Sequence, residues 1–225
     1  EPLIAPAKRG GRKRETKRHH ELSTGCQWRY LPKDLPPKSM VYRYFCDWAW
    51  GGVLDRMHDA LYEKCREQAE REANPTAAIV DNQSKRREKM GARIDPHGYD
   101  AGKKIKGKKR HVLVDTQGLL MGAIVHCADI QDRDGGVLLV STLFGRFPFL
   151  EKLFADSAYQ GPIFADALAD ILPRLKTVIV KRRDQAKGFV TLPKRWIVER
   201  THAWNERARR LIMHHDRLHS VSEAW

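Results

Sequence analysis

Hydrophobic positions divide the chain into two textures. Up to residue 75 they recur at helical spacing; beyond it they come in short runs. After Lys38-Ser39, Val41, Tyr44, Phe45 and Trp48 fall three and four apart. That is the stripe of an amphipathic helix, with Ser39 as its expected N-cap. Gly51-Gly52 breaks it. Val53, Leu54, Met57, Leu61 and Cys65 then predict a second helix, ending near Asn74-Pro75. Two helices about a glycine break fit a helix-turn-helix or an ordinary helical hairpin, and the pattern does not choose between them.

From residue 76 the apolar runs shorten. AAIVD (77–81) and EKLFAD (151–156) read as strands ending in a carboxylate. Residues 109–128 read as two strands joined at Thr116-Gln117-Gly118. The segment after Ala128 starts polar and becomes helical, Pro162 opens another helix, and 175–182 is a β-branched strand. Residues 195–215, without Gly or Pro, predict a long helix. At about 100° per residue, Trp204, Ala208, Leu211 and Ile212 lie within about 60° of Ile197, which predicts the face that packs on the sheet. This order predicts an α/β fold, a mixed sheet with flanking helices behind a small helical N-terminal module. The expected divisions are 1–20, a charged arm; 21–75, a turn-rich connection and the helical module; and 76–225, the main domain.

Charge adds a partner class to this picture. Across 225 residues the formal charge is +14 and the pI about 9.8. The excess is clustered in 8–20, 85–110 and 181–217. A surface of this kind suits a phosphate backbone. No apolar run approaches the roughly 20 residues of a membrane span, and no secretory leader is visible. Cys26, Cys46, Cys65 and Cys127 are widely spaced with no CxxC pair, which excludes a zinc ribbon and argues for reduced thiols. A start at Glu1 and not Met is what a piece of a longer product would show.

Candidate chemistry resides in carboxylates. Asp81, Asp115 and Asp156 each close an apolar run, where side chains reach the rim of a sheet, but Asp also ends strands merely because it favours turns. Asp115 falls in the expected hairpin turn and is read as structural. Asp129 and Asp132 are expected near a helix start, where acidic side chains complement the helix dipole. On the last helix Glu199 sits near 200° from Ile197, off the core stripe, where it faces either a cleft or solvent as half of an Arg195–Glu199 pair. His202 is open to a structural or a cleft-facing role.

Six segments in this order resemble the IS5-type DDE transposases of bacterial insertion sequences, within the IS4/IS5 group: TGCQWRYLP (24–32), AAIVDNQS (77–84), GYDAGKKIKGKKRHVLVDTQGLL (98–120), ADIQDRDG (128–135), FADSAYQGP (154–162) and VKRRDQAKGFVTLPKRWIVERTHAWNERARRL (180–211). The resemblance implies an RNase H-like fold whose Asp-Asp-Glu triad falls on Asp81, Asp156 and Glu199, 75 and then 43 residues apart. It implies two Mg²⁺ ions, for which Mn²⁺ substitutes, bridged by Asp81 and held by Asp156 and Glu199. Lys103, Lys104, Lys106, Lys108, Lys109, Arg110, Arg195 and Arg200 are the expected DNA contacts. The implied activity is cleavage and strand transfer at element ends, on double-stranded DNA, by a homo-oligomer in the bacterial cytoplasm at the nucleoid, without a membrane. A nuclease that cuts without joining and a non-catalytic DNA-binding remnant are the alternatives. The short stretch between RGGR and TGCQW, and the stop at Trp225, lead to the expectation of a shortened, defective copy.

Overall fold

A computed structural model describes residues 26–86, 96–180 and 194–213, with His219, Glu223 and Ala224. The expected arm (1–20) lies outside the described residues.

A 3₁₀ turn at Trp28–Tyr30 precedes α1 (Lys38–Trp50) and α2 (Val53–Gln68). The N-cap of α1 is Pro37, not Ser39: the proline carbonyl accepts from Met40 and Val41, so the preset proline φ starts the helix. Gly52, at φ +64°, turns the chain between the helices, a conformation glycine takes without strain. α2 ends at Gln68, earlier than expected, because Arg71 N bonds back to the Arg66 carbonyl and Glu70 takes a left-handed φ of 55°. Trp28 packs on Tyr42 and Phe45, with ring centroids 5.1 and 5.6 Å apart.

The sheet contains β1 (Ala77–Arg86), β2 (Gly98–Asp100), β3 (Ile105–Asp115), β4 (Leu120–Cys127), β5 (Lys152–Ala155) and β6 (Lys176–Ile179). β3 lies between β1 and an edge shared by β2 and β4, all antiparallel; β5 and β6 follow on the other side of β1 in parallel. β1 does not end at Asp81. Its pairing with β3 continues to Arg86↔Gly107, so Asp81 is a mid-strand residue. The apolar run alone missed this, because residues 82–86 alternate polar side chains between two faces.

Strand alternation creates two cores. Ala78, Val80, Leu113, Leu153 and Ala155 point to one face, covered by Tyr62 of α2, Leu139 of α3 (Asp132–Ser141) and Phe164 and Leu168 of α4 (Pro162–Ile171). Ile79, Val112 and Val114 point to the other, covered by Ile197 and Val198 of α5 (Arg195–Asn205). The long final helix is shorter than its pattern predicts: α5 stops at Asn205, and a short α6 (Arg209–Ile212) follows. Its buried residues are Ile197, Val198, Thr201 and His202, while Trp204 is 47% exposed. The expected stripe spans the 206–208 break, where the chain leaves the helix and the 100° spacing no longer applies. Trp204 is instead held outward by Arg200, whose guanidinium lies 4.8 and 4.6 Å from the Trp196 and Trp204 rings.

The β3–β4 turn forms as expected, with Gly118 at φ +85°. Asp115 at its start is fully buried. It accepts from Gln117 N at 2.8 Å and Leu119 N at 2.9 Å, from Tyr62 Oη at 3.3 Å, and from Arg66 in a buried ion pair. Burial, followed by the Asp115 charge, pushes the Tyr62 phenol well above its usual range. Asp115 is therefore structural, and it fastens α2 to the sheet.

Candidate active site

Ile79 pairs with Phe154 in the parallel β1–β5 ladder. Asp81 lies two residues beyond Ile79 on β1, Asp156 two beyond Phe154 and just past the end of β5, and Asp156 feels the charge of Asp81. Both side chains share the face of Ile79 and Phe154, which is the α5 face. Asp156 follows β5 directly and caps the 3₁₀ turn Ser157–Tyr159, accepting from Ala158 N at 2.9 Å.

α5 crosses above this pair. His202 Nε2 lies 3.3 Å from Asp81 Oδ2. Arg195 Nη2 lies 3.9 Å from Asp156 Oδ2. Glu199 is four residues after Arg195 and three before His202, so the three share one helix face. Glu199 itself is exposed. The structure thus brings Asp81, Asp156, Arg195 and His202 together and sets Glu199 on the same face of α5.

The two carboxylates differ electrostatically. Burial raises the Asp156 carboxyl above its ordinary value, and the charges of Asp81 and Asp132 add to the rise, against Ala158 N and Arg195. Burial pushes Asp81 upward as well, but the approach and charge of His202, the Asn82 amide and Arg195 outweigh it, leaving Asp81 below the usual range. Two close carboxylates with one resisting ionisation form a hard-oxygen site that a divalent cation would relieve. The donor set suits Mg²⁺, although among the described residues no three His, Cys, Asp or Glu side chains stand together as a formed metal site.

Opposite-facing neighbours tie the pair from below. Asn82, next to Asp81, donates to Tyr159 Oη at 3.1 Å, and Tyr159 Oη lies 3.1 Å from His111 Nδ1. Lys103 Nζ donates to Asn82 Oδ1 at 2.7 Å. Beside Asp156 a cleft of about 450 Å³ opens between Tyr99–Ala101, Ala128–Arg133 and the residues Ser157, Ala158 and Gln160.

The expected DNA contacts separate by burial. Lys103 and Lys104 are exposed in the β2–β3 connection, and Lys106 is exposed near the start of β3. Lys108, Lys109 and Arg110 are buried, because β3 carries them into the sheet and alternates them between its faces. Lys109 donates to Asp132 at 2.6 Å and to the Ile130 carbonyl at 2.8 Å, and Arg110 to the Leu211 carbonyl at 3.4 Å. Those three do not form part of a solvent-facing grip. Arg200 is engaged by the Gln117 carbonyl and two tryptophans, while Arg195 faces Asp156. Asp132 opens α3, and Asp129 lines the cleft beside it. Sequence reasoning missed the Arg66–Asp115 pair and the Asn82–Tyr159–His111 chain, whose members lie far apart in sequence and carry no local signal.

Comparison with known proteins gives this site its class. Residues 72–225 match the family described as "Transposase DDE domain", and residues 1–58 match "Putative transposase of IS4/5 family". The chain belongs to the DDE-domain transposases, and within them to the IS4/IS5 type. A curated relative, described as "Putative transposase for insertion sequence element IS402" from Burkholderia cepacia, is 29% identical over 158 residues, 65% of this chain and 69% of that protein. A solved piggyBac transposase synaptic complex with hairpin DNA matches half of this chain at 12% identity with a TM-score of 0.30, too weak a likeness to bear on the fold. This chain spans about a quarter of that protein (24%). No helix among the described residues is long and apolar enough to cross a membrane.

Proposed function

We propose that this protein cuts DNA at the ends of an insertion sequence and transfers the strands to a target, with Asp81, Asp156 and Glu199 as its acidic triad on an RNase H-like domain. The observation that carries the reading is that Asp81 on β1 and Asp156 just past the neighbouring parallel strand β5 both face the helix that lays Glu199 between Arg195 and His202. The strand order, antiparallel on one side of β1 and parallel on the other, supports the RNase H-like assignment. Asp81, Asp156 and Glu199 would hold two Mg²⁺ ions, with Mn²⁺ as a substitute. When bound, the ions activate a water or 3′-hydroxyl and neutralise the leaving oxygen.

The chain's own side chains do the rest. Arg195 places a fixed positive charge beside Asp156, where a scissile phosphate would approach. His202 supports the ionised form of Asp81. Lys104 and Lys106 present ammonium groups to a phosphate backbone, while the Lys103 ammonium is held by Asn82. No covalent enzyme intermediate is required. The segment through residue 75 would read the element end, and two ends would be held by an oligomer on the nucleoid. Labelled end DNA with Mn²⁺ tests the proposal: Glu199→Gln should abolish nicking and leave DNA affinity within about twofold, since it removes a metal ligand and not a phosphate contact. Nicking that persists in Glu199→Gln refutes the triad.

A further inference from the structure

α5 carries Glu199, yet its apolar anchor is small: Ile197 and Val198 against Ile79, Val112 and Val114. The remainder of its seat is the β3–β4 turn. Arg200 Nη2 donates to the Gln117 carbonyl at 2.6 Å and Thr201 Oγ1 to the Gly118 carbonyl at 2.7 Å. A Cβ on Gly118 would stand 3.0 Å from Thr201 Oγ1, 3.1 Å from Arg200 Nη2 and 3.4 Å from Ile197 Cγ2. The bare backbone of the turn therefore lies against the helix, and the two residues bonded to it directly follow Glu199.

One carboxylate shapes that turn. Asp115 Oδ1 accepts from Gln117 N and Leu119 N, while Asp115 Oδ2 accepts from Arg66 and Tyr62 of α2. Arg66 Nε is itself committed to the Glu72 carbonyl at 2.6 Å. A continuous path of hydrogen bonds and one ion pair thus runs from α2 through Asp115 and residues 117–119 to α5. Tyr62, Arg66, Asp115, Gly118 and Thr201 along it are buried, where polar contacts are strengthened by the low local dielectric, and Gln117, Leu119 and Arg200 are half-buried.

We infer that Asp115 is a positioning residue for the acidic site. Clamped by Arg66 and Tyr62, it shapes the turn on which α5 rests, and so sets where Glu199 stands relative to Asp81 and Asp156. The consequence for catalysis rests on the triad reading above; the seat itself does not. Glu199 shares the face of Arg195 and His202 but forms no compact acidic cluster with the pair among the described residues, so a small displacement of α5 decides whether it closes on them. The same path couples α2, which belongs to the helical N-terminal module, to the placement of Glu199.

The test uses the full chain carrying Asp115→Asn, Thr201→Val or Thr201→Ser, beside wild type and Glu199→Gln. Hydrogen exchange is read on the α5 amides and on those of α3 and α4 as internal controls. Single-turnover nicking is followed against Mn²⁺ concentration, and DNA affinity separately. Asp115→Asn and Thr201→Val should speed α5 exchange by about tenfold or more while α3 and α4 stay protected. Half-saturation by Mn²⁺ should rise by about tenfold with DNA affinity nearly unchanged, and Thr201→Ser should restore both. Unchanged α5 exchange in folded Asp115→Asn and Thr201→Val overturns the inference. If Asp115→Asn does not fold, Thr201→Val, which exchanges one hydroxyl for a methyl, decides alone. Wild-type nicking by Glu199→Gln would sink the triad reading and not the seat, which the exchange data decide independently.

Discussion

Replacing Arg66 by Met strips the charge from α2 while keeping an apolar chain of similar reach. Asp115 is then left fully buried without its counter-charge. Breaking one partner out of a buried ion pair costs about 3–5 kcal/mol, because the remaining charge stays desolvated. Asp115 keeps Gln117 N, Leu119 N and the Tyr62 hydroxyl, and hydrogen bonds to a charged group are stronger than neutral ones. The loss should therefore fall at the lower end, about 3 kcal/mol. Against a total of about 5–15 kcal/mol, that is a large share of the domain's stability. At about 2–4 °C per kcal/mol for a chain of this size, the midpoint should fall by about 6–12 °C. Urea unfolding gives the free energy and calorimetry the midpoint. The loss should barely change with added salt, since screening acts on exposed charges. Adding Asp115→Asn to Arg66→Met removes the orphaned charge, and the double variant should be more stable than Arg66→Met alone. A loss under about 1 kcal/mol, or a double variant less stable than Arg66→Met, would refute the reasoning.

Three further outcomes are expected. Gly135→Ala would set a Cβ 2.4 and 2.5 Å from the Nε2 atoms of His111 and His126, whose rings pack 4.8 Å apart. The overpacking cost of about 1–3 kcal/mol should exceed the roughly 1 kcal/mol that Ala gains over Gly in a helix, so urea unfolding should show net destabilisation; a stabilised variant contradicts this. Burial, then the His126 charge, pushes His111 down to about 3. Its contribution should be complete above an unfolded value near 6.5 and fade as pH falls toward 3, at up to about 1.4 kcal/mol per pH unit, and a His111→Gln variant with an undiminished slope would count against it. Replacing Lys104 and Lys106 by Ala should lower the log–log salt slope of DNA binding by up to about two units, measured by filter binding, whereas an unchanged slope would place the phosphate contacts elsewhere.

The element order was legible in the sequence because it rests on local chemistry. Gly51-Gly52 and Thr116-Gln117-Gly118 break the pattern where the backbone turns, Pro162 opens α4, and the apolar runs before Asp81 and Asp156 are strands. Asp81 and Asp156 stood out because each ends an apolar run, whereas the helical position of Glu199 left cleft and solvent open and only the family resemblance made it a candidate. Where β1 ends was not legible, since residues 82–86 owe their strand conformation to pairing with β3. Nor was the division of the lysine block: the charges at 103–110 look alike in sequence, and only the depth of β3 in the sheet buries Lys108, Lys109 and Arg110 and leaves Lys103, Lys104 and Lys106 in solvent. Tertiary structure alone brought His202 to Asp81, Arg195 to Asp156 and Arg66 to Asp115, because periodicity reports how a residue relates to its own helix or strand. Which side chains meet across elements depends on register and packing, and those are properties of the assembled sheet.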